Sequence, residues 1–200
     1  MKYIKMATSF NFGEVVSVII ASIVLPFLPE TPIQLLVEGL LYDFGQMTIP
    51  FDNVDKELIR KPKKLNIKSL KRFMFFMGPV SSLFDIVVFL LLWFVFTVRD
   101  VTHFQTIWFT YSIVSNLIGM HIIRTAKTPF IQSNAHKAVY ISSILLIIIG
   151  ILVPFTPLGI AIGLAPIALK YIFMIFGVTF LYCIVAVSYT HLRAHETSQD

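Results

Sequence analysis

Cysteine is nearly absent from this chain. The single one, Cys183, lies inside an apolar run, which excludes a disulfide framework and a cysteine-built zinc cluster. Charge is scarce too. Asp, Glu, Lys and Arg make up 14% of the 200 residues, against about 25% in soluble domains. The basic residues flank apolar runs and do not stripe a soluble fold, so the sequence carries no nucleic-acid signature. No cleavable leader is expected, because Lys2 and Lys5 run into a polar Asn11-Phe-Gly-Glu14 where a leader has a clean apolar core. What is plentiful is apolar: 56% of residues, nineteen Phe and seven Met, with a mean hydropathy of +0.81. Composition alone points to an all-α membrane protein that crosses the bilayer several times.

A bilayer-crossing helix needs about 17–25 mostly apolar residues. That criterion predicts six spans: about Ala7 to Leu28, Ile33 to Pro50, Phe73 to Val98, Gln105 to Ile123, Val139 to Phe155 and Leu169 to Val187. Pro26, Pro29 and Pro32 cannot continue a helix, so the first two spans meet in a tight connection. All the Lys and Arg residues except Arg99 and Lys170 then fall on one side. The densest group runs from Lys56 to Arg72. The positive-inside rule makes that side, with both termini, cytoplasmic. Residues 1–187 read as one transmembrane domain. The tail 188–200 changes character abruptly, resembles a translated sequencing-adapter sequence, and is read as non-native. His191 and His195 in it receive no role.

Asp43 lies in the middle of the second span. A carboxylate at that depth costs roughly 2.5–3.5 kcal/mol, so it calls for an ion, a counter-charge or a proton. Gly45 and Pro50 weaken the helix just beyond it, and freed carbonyls beside a carboxylate suit a hard cation. Helical rise puts Glu14 about 18 Å and Asp43 about 16–17 Å from the Pro-rich hairpin, at nearly equal depth. Asp85 and Asn116 are central in their own spans. Asn11 with Glu14, and Asp43 with Gln46, share helix faces at i,i+3. No Lys or Arg lies inside these spans, so such a cluster must bind a cation, hold protons or open to water. Oxygen donors without Cys or His favour Mg²⁺ or Ca²⁺ over Zn²⁺ or Cu⁺. The spacing itself fits Mg²⁺, Ca²⁺ and protons alike. The competing role for each polar residue is structural: Asn11 and Asn116 as inter-helix hydrogen-bonding groups, Asp85 as a brace, Glu14 snorkelling to the cytoplasmic edge. Ser81, Ser82 and Ser115 read as packing residues.

Several ordered motifs add a resemblance. Asn11-Phe-Gly-Glu14, Pro26-Phe-Leu-Pro29, Leu40-Leu-Tyr-Asp43, Phe51-Asp-Asn-Val-Asp55, Gly78-Pro-Val-Ser-Ser-Leu-Phe-Asp85, Arg124-Thr-Ala-Lys-Thr-Pro and Pro154-Phe-Thr-Pro157 resemble the C-terminal membrane half of magnesium-transporting P-type ATPases. The likeness covers about Ser9 to Ala186. It implies that the six spans are helices five to ten of a ten-helix pump, so the chain is a fragment. It also implies that Glu14, Asp43 and Asp85 lie at the family's ion-binding positions. Glu14 stands where family members tend to carry Asn. The Asp-Lys-Thr-Gly-Thr phosphorylation motif, the nucleotide-binding domain and the actuator's Thr-Gly-Glu are not in this sequence, so ATP enters only through domains outside it.

The expectation is therefore a six-helix transmembrane domain of an inner- or plasma-membrane magnesium importer. Its metal ligands are Asp43 first, Glu14 and Asp85 in support, and Asn11 and Gln46 as carbonyl donors. Mg²⁺ is the transported ion. The partners are the lipid bilayer and the rest of the ATPase, and the chain alone is not expected to hydrolyse ATP. The rivals are a stand-alone secondary cation transporter or channel, which would need inverted repeats that the two halves do not display, and a non-transporting scaffold in which the polar residues only join helices.

Overall fold

The computed structural model describes residues 2–53, 67–125 and 134–196. The basic stretch Lys56–Lys64 and Lys127 lie outside these described residues, as do the side chains of His191 and His195. Regular structure among the described residues is helical: α1 (Lys2–Val24), α2 (Pro32–Gln46), α3 (Ile67–Leu90), α4 (Val101–Ile123), α5 (Lys137–Leu152), the short α6 (Pro157–Ala161) and α7 (Leu169–Glu196).

The ends follow from local chemistry. α1 stops at Val24, four residues short of the predicted Leu28, because Pro26 biases the residue before it away from helix. α2 starts with a reciprocal capping box. The Gln34 N–H donates to Thr31 Oγ1 at 3.4 Å, the Thr31 N–H donates to Gln34 Oε1 at 2.9 Å, and Pro32 occupies the first turn. Asp100 caps α4 by accepting from the His103 N–H at 2.8 Å. α3 passes into a π-helical turn over Leu91–Val95. Thr97 follows with a φ of 49°, an uncommon left-handed conformation for a β-branched residue.

α4 is the hub. Phe104, Ile107, Phe109, Val114 and Met120 along it are fully enclosed, and α1, α2, α5 and α7 all pack against it. α1 and α3 approach closely where both present small residues. A Cβ on Gly13 would lie 3.2 Å from the Gly78 carbonyl oxygen, and the buried Ser82 hydroxyl donates across the interface to the Gly13 carbonyl at 2.9 Å. Ser82 thus takes the packing role that its size suggested. The outer surface is apolar. Ile141, Ile144, Leu145 and Ile148 on α5, and Phe173, Phe180 and Ile184 on α7, are exposed. That much bare hydrocarbon belongs against lipid.

Among the described residues, three stretches are long and apolar enough to cross a membrane: Val101–Ile123, Lys137–Phe155 and Leu169–Ser188. The apolar parts of α1 and α3, Phe10–Val24 and Ser81–Val95, are shorter. α2 has 15 residues. The helices thus correspond in order to the predicted spans, but only the last three meet the length and hydropathy required of a crossing helix.

At the other end of α2, Arg124 and Asp52 are both buried and paired. One guanidinium nitrogen donates to both carboxylate oxygens at 3.2 and 3.1 Å. The His136 N–H also donates to Asp52 at 3.1 Å. The sequence assigns Arg124 to a charged loop. In the fold it is an internal clamp joining the segment after α2, the end of α4 and the start of α5.

Candidate functional site

The faces of α2 are inverted relative to those of a soluble helix. Its buried residues are Gln34, Glu38, Tyr42, Gly45 and Gln46. Its exposed residues include Ile33, Leu36, Leu40, Phe44 and Met47. Spacings of four place Gln34, Glu38, Tyr42 and Gln46 in one row. This arrangement suits lipid outside and polar chemistry inside.

Glu38 is 1% exposed and Glu30 is 2% exposed. The Asn116 side chain on α4 donates to Glu38 Oε1 at 3.1 Å. Glu38 Oε2 and both Glu30 oxygens are buried and receive no protein N–H or hydroxyl, and the two carboxyls lie within hydrogen-bonding reach of each other. Glu30 reaches the interior because the Pro-rich hairpin folds inward, held by the Gln105 amide donating to the Leu28 carbonyl at 2.9 Å. On the far side of the hairpin, the Gln34 amide donates to the Ile162 and Gly163 carbonyls at 3.2 and 3.4 Å. Gly163 can offer its carbonyl there because it adopts a φ of +83°. Glu14, Glu30 and Glu38 each present one oxygen, and these oxygens lie within 4.8 Å of one another.

Glu14 also faces a cavity of about 10 Å³ together with Ser17, Asp85, Ser112, Ser115 and Asn116. That is room for about one water-sized guest. The Ser17 hydroxyl donates to Asp85 Oδ2 at 2.5 Å. No Lys or Arg lines the cavity. On its other flank, Glu14 lines a wider groove of about 410 Å³ with Asn11, Val15, Val18, Ile19, Leu35 and Gly39.

The five residues singled out from the sequence are thus distributed unevenly. Glu14 and Asp85 meet at the cavity. Asn11 is exposed and meets Glu14 at the groove. Asp43 is exposed on the outer side of α2 and lines neither space. Gln46 is buried one turn beyond Tyr42, with its amide facing the Tyr42 hydroxyl. Sequence reasoning missed Glu30 and Glu38. Glu38 was findable, since it interrupts the same apolar run as Asp43. Glu30 was hidden by its place in a proline-rich turn, which ordinarily sits at the surface.

Chemically, the interior offers four carboxylates from α1, the hairpin, α2 and α3, with hydroxyls and amides around them. Such a set can hold hard cations or share protons.

Comparison with known proteins gives a family match. The family model described as "Cation transporting ATPase, C-terminus" matches residues 27–190. The chain is 44% identical over 189 residues to "Magnesium-transporting ATPase, P-type 1" of Salmonella typhimurium (strain LT2), covering 93% of this chain and 21% of that protein. It is 48% identical over 174 residues to the Escherichia coli (strain K12) protein of the same name, covering 86% of this chain and 19% of that one. The chain therefore spans about a fifth of the length of these relatives.

Proposed function

The chain belongs to the family of cation transporting ATPase C-terminal regions, and from that premise we propose that it is the membrane domain of an ATP-driven magnesium importer. The rest of such a pump, with its phosphorylation, nucleotide-binding and actuator domains and four further membrane helices, is part of the proposal. So is a cytoplasmic location for both termini. The observation that carries the reading is the cavity shared by Glu14 and Asp85, with Asn116 beside them and no basic side chain in its wall. Two carboxylates there need a positive guest, and a guest that leaves on one side after entering on the other is transported.

Asp43 takes part through the groove. Leu35 and Gly39 form its α2 wall, and Asp43 continues that row one turn further. Asn11, Val15 and Ile19 form the facing row on α1. Asn11 lies about 22 Å and Asp43 about 17 Å from the hairpin by helical rise, so the polar residues sit at one end of an otherwise apolar trough. In our reading, a helix from outside this chain lies in the trough, covers Asp43 and turns it into a ligand shared with Glu14 and Asn11. Gln46 supports from the buried side. Mg²⁺ is the cargo: a small cation that sheds water reluctantly and is held by few carboxylates.

The test is Asp43→Asn in the complete pump. Mg²⁺-stimulated ATP turnover should fall at least tenfold with expression unchanged. Turnover within twofold of the parent would remove Asp43 from the site.

A further inference from the structure

The carboxylates of Glu30 and Glu38 belong to neither the cavity nor the groove. Burying even one ionised carboxylate without a partner costs several kcal/mol. Two of them beside Glu14 repel one another as well. Glu38 accepts from Asn116 at Oε1, and no protein N–H or hydroxyl reaches its Oε2. Glu30 is 2% exposed, receives no such donor on either oxygen, and lies with its carboxyl within hydrogen-bonding reach of the Glu38 carboxyl. A side chain enclosed to that degree, with no donor group on its oxygens and two more carboxylates alongside, is arranged for a guest that takes lone pairs from oxygen. The spread of the three oxygens limits the size of that guest, since all three lie within 4.8 Å of one another. A hard divalent cation bonds oxygen at about 2.0–2.6 Å, so its opposing ligands stand about 4–5 Å apart.

The geometry points to a second divalent-cation site, Glu14–Glu30–Glu38, between α1, the Pro-rich hairpin and α2. It is separate from the Asp43–Asp85 ligand set and is joined to it through Glu14 and through Asn116, which lines the cavity and donates to Glu38. An ion here ties the hairpin to both helices, and it has a carboxylate in common with the cavity beside it. The inference stands on the fold of this chain and does not require that Asp43 be a ligand.

The experiment is Mn²⁺ binding to the protein in lipid nanodiscs, counted by electron paramagnetic resonance. The parent is compared with Glu30→Gln, Glu38→Gln and Asp43→Asn. Glutamine keeps the shape of each side chain and removes its charge. Glu30→Gln and Glu38→Gln should each lose one Mn²⁺ per chain, or bind it at least tenfold more weakly, while Asp43→Asn keeps that ion. Without divalent cation, both glutamine variants should melt at or above the parent temperature, because each removes one of three mutually repelling charges. Unchanged Mn²⁺ stoichiometry and affinity in both glutamine variants overturns the site. So does a lower cation-free melting temperature in both, which would mark the acids as packing or proton-sharing groups. Loss of Mn²⁺ in Asp43→Asn alone would speak for the pump reading and against this site.

Discussion

The Arg124–Asp52 pair offers the sharpest test of the packing. Its side chains are 1% and 3% exposed, and the guanidinium meets both carboxylate oxygens within 3.2 Å. Removing one member of a buried pair leaves a charge without its counter-charge, at a cost of about 3–5 kcal/mol. Arg124→Met keeps apolar volume and removes the cation. Asp52 then keeps the His136 N–H at 3.1 Å but loses the guanidinium. For a chain of this size, 1 kcal/mol moves the melting temperature by about 2–4 °C, so Arg124→Met should lower it by roughly 6–20 °C. Asp52→Asn should cost a similar amount, because it takes this buried carboxylate away from Arg124. The double variant should melt above either single one, since neither member of the pair is then kept without the other. Melting is followed in detergent micelles by tryptophan emission, which reports on the buried Trp108 and on Trp93, stacked beneath the Arg99 guanidinium at 3.8 Å. A shift below about 2 °C for Arg124→Met, or a double variant no better than the singles, would refute the clamp.

Two further outcomes test the helix contacts. A Cβ on Gly159 would lie 2.1 Å from the Val153 carbonyl oxygen, where no flexible side chain can yield. Gly159→Ala should therefore destabilise by about 3 kcal/mol, the upper end of the usual overpacking range. Gly177→Ala meets nothing within 4 Å and should be neutral or stabilising by up to about 1 kcal/mol; thermal melts of the two side by side check both. Gln34→Ala removes the capping box of α2 and its amide bonds to Ile162 and Gly163. It should cost about 1–3 kcal/mol and speed hydrogen exchange at the first turn of α2, and unaltered exchange there would discount the cap.

Much of the architecture was legible because lipid imposes few choices. Long apolar runs and proline punctuation located the helices, and the motifs located the family. Boundaries were less legible. Val24, and not Leu28, ends α1 because a proline acts on the residue before it, and the π-helical turn at Leu91–Val95 has no sequence signal that we can identify. For the site, depth was computable from rise per residue, but facing was not. Asp43 and Glu38 interrupt the same run, and only the row Gln34–Glu38–Tyr42–Gln46 tells which carboxylate turns inward. That row is a spacing of four, but Leu35–Gly39–Asp43 has the same spacing, and nothing in the sequence ranks one row over the other. Glu30 is a harder case, because a residue in a turn reaches the interior only if the turn folds inward. The bond from Gln105 to the Leu28 carbonyl that holds it there joins residues 77 apart in sequence.

Glu14 is the point at which these separate features bear on one another. It borders the cavity with Asp85, the groove with Asn11, and the trio with Glu30 and Glu38. One carboxylate has two oxygens, so it can turn one oxygen toward each of two of these environments at once. Any ion held by Glu30 and Glu38 therefore lowers the negative charge that Glu14 presents to the cavity, and any helix laid in the groove alters it from the other side. A scaffold needs no such sharing: a helix-joining acid is best satisfied by one fixed donor, as Glu38 Oε1 is by Asn116. An acid exposed to three alternatives is suited to changing partners, and a change of partners at a fixed depth is what moving an ion between two sites requires.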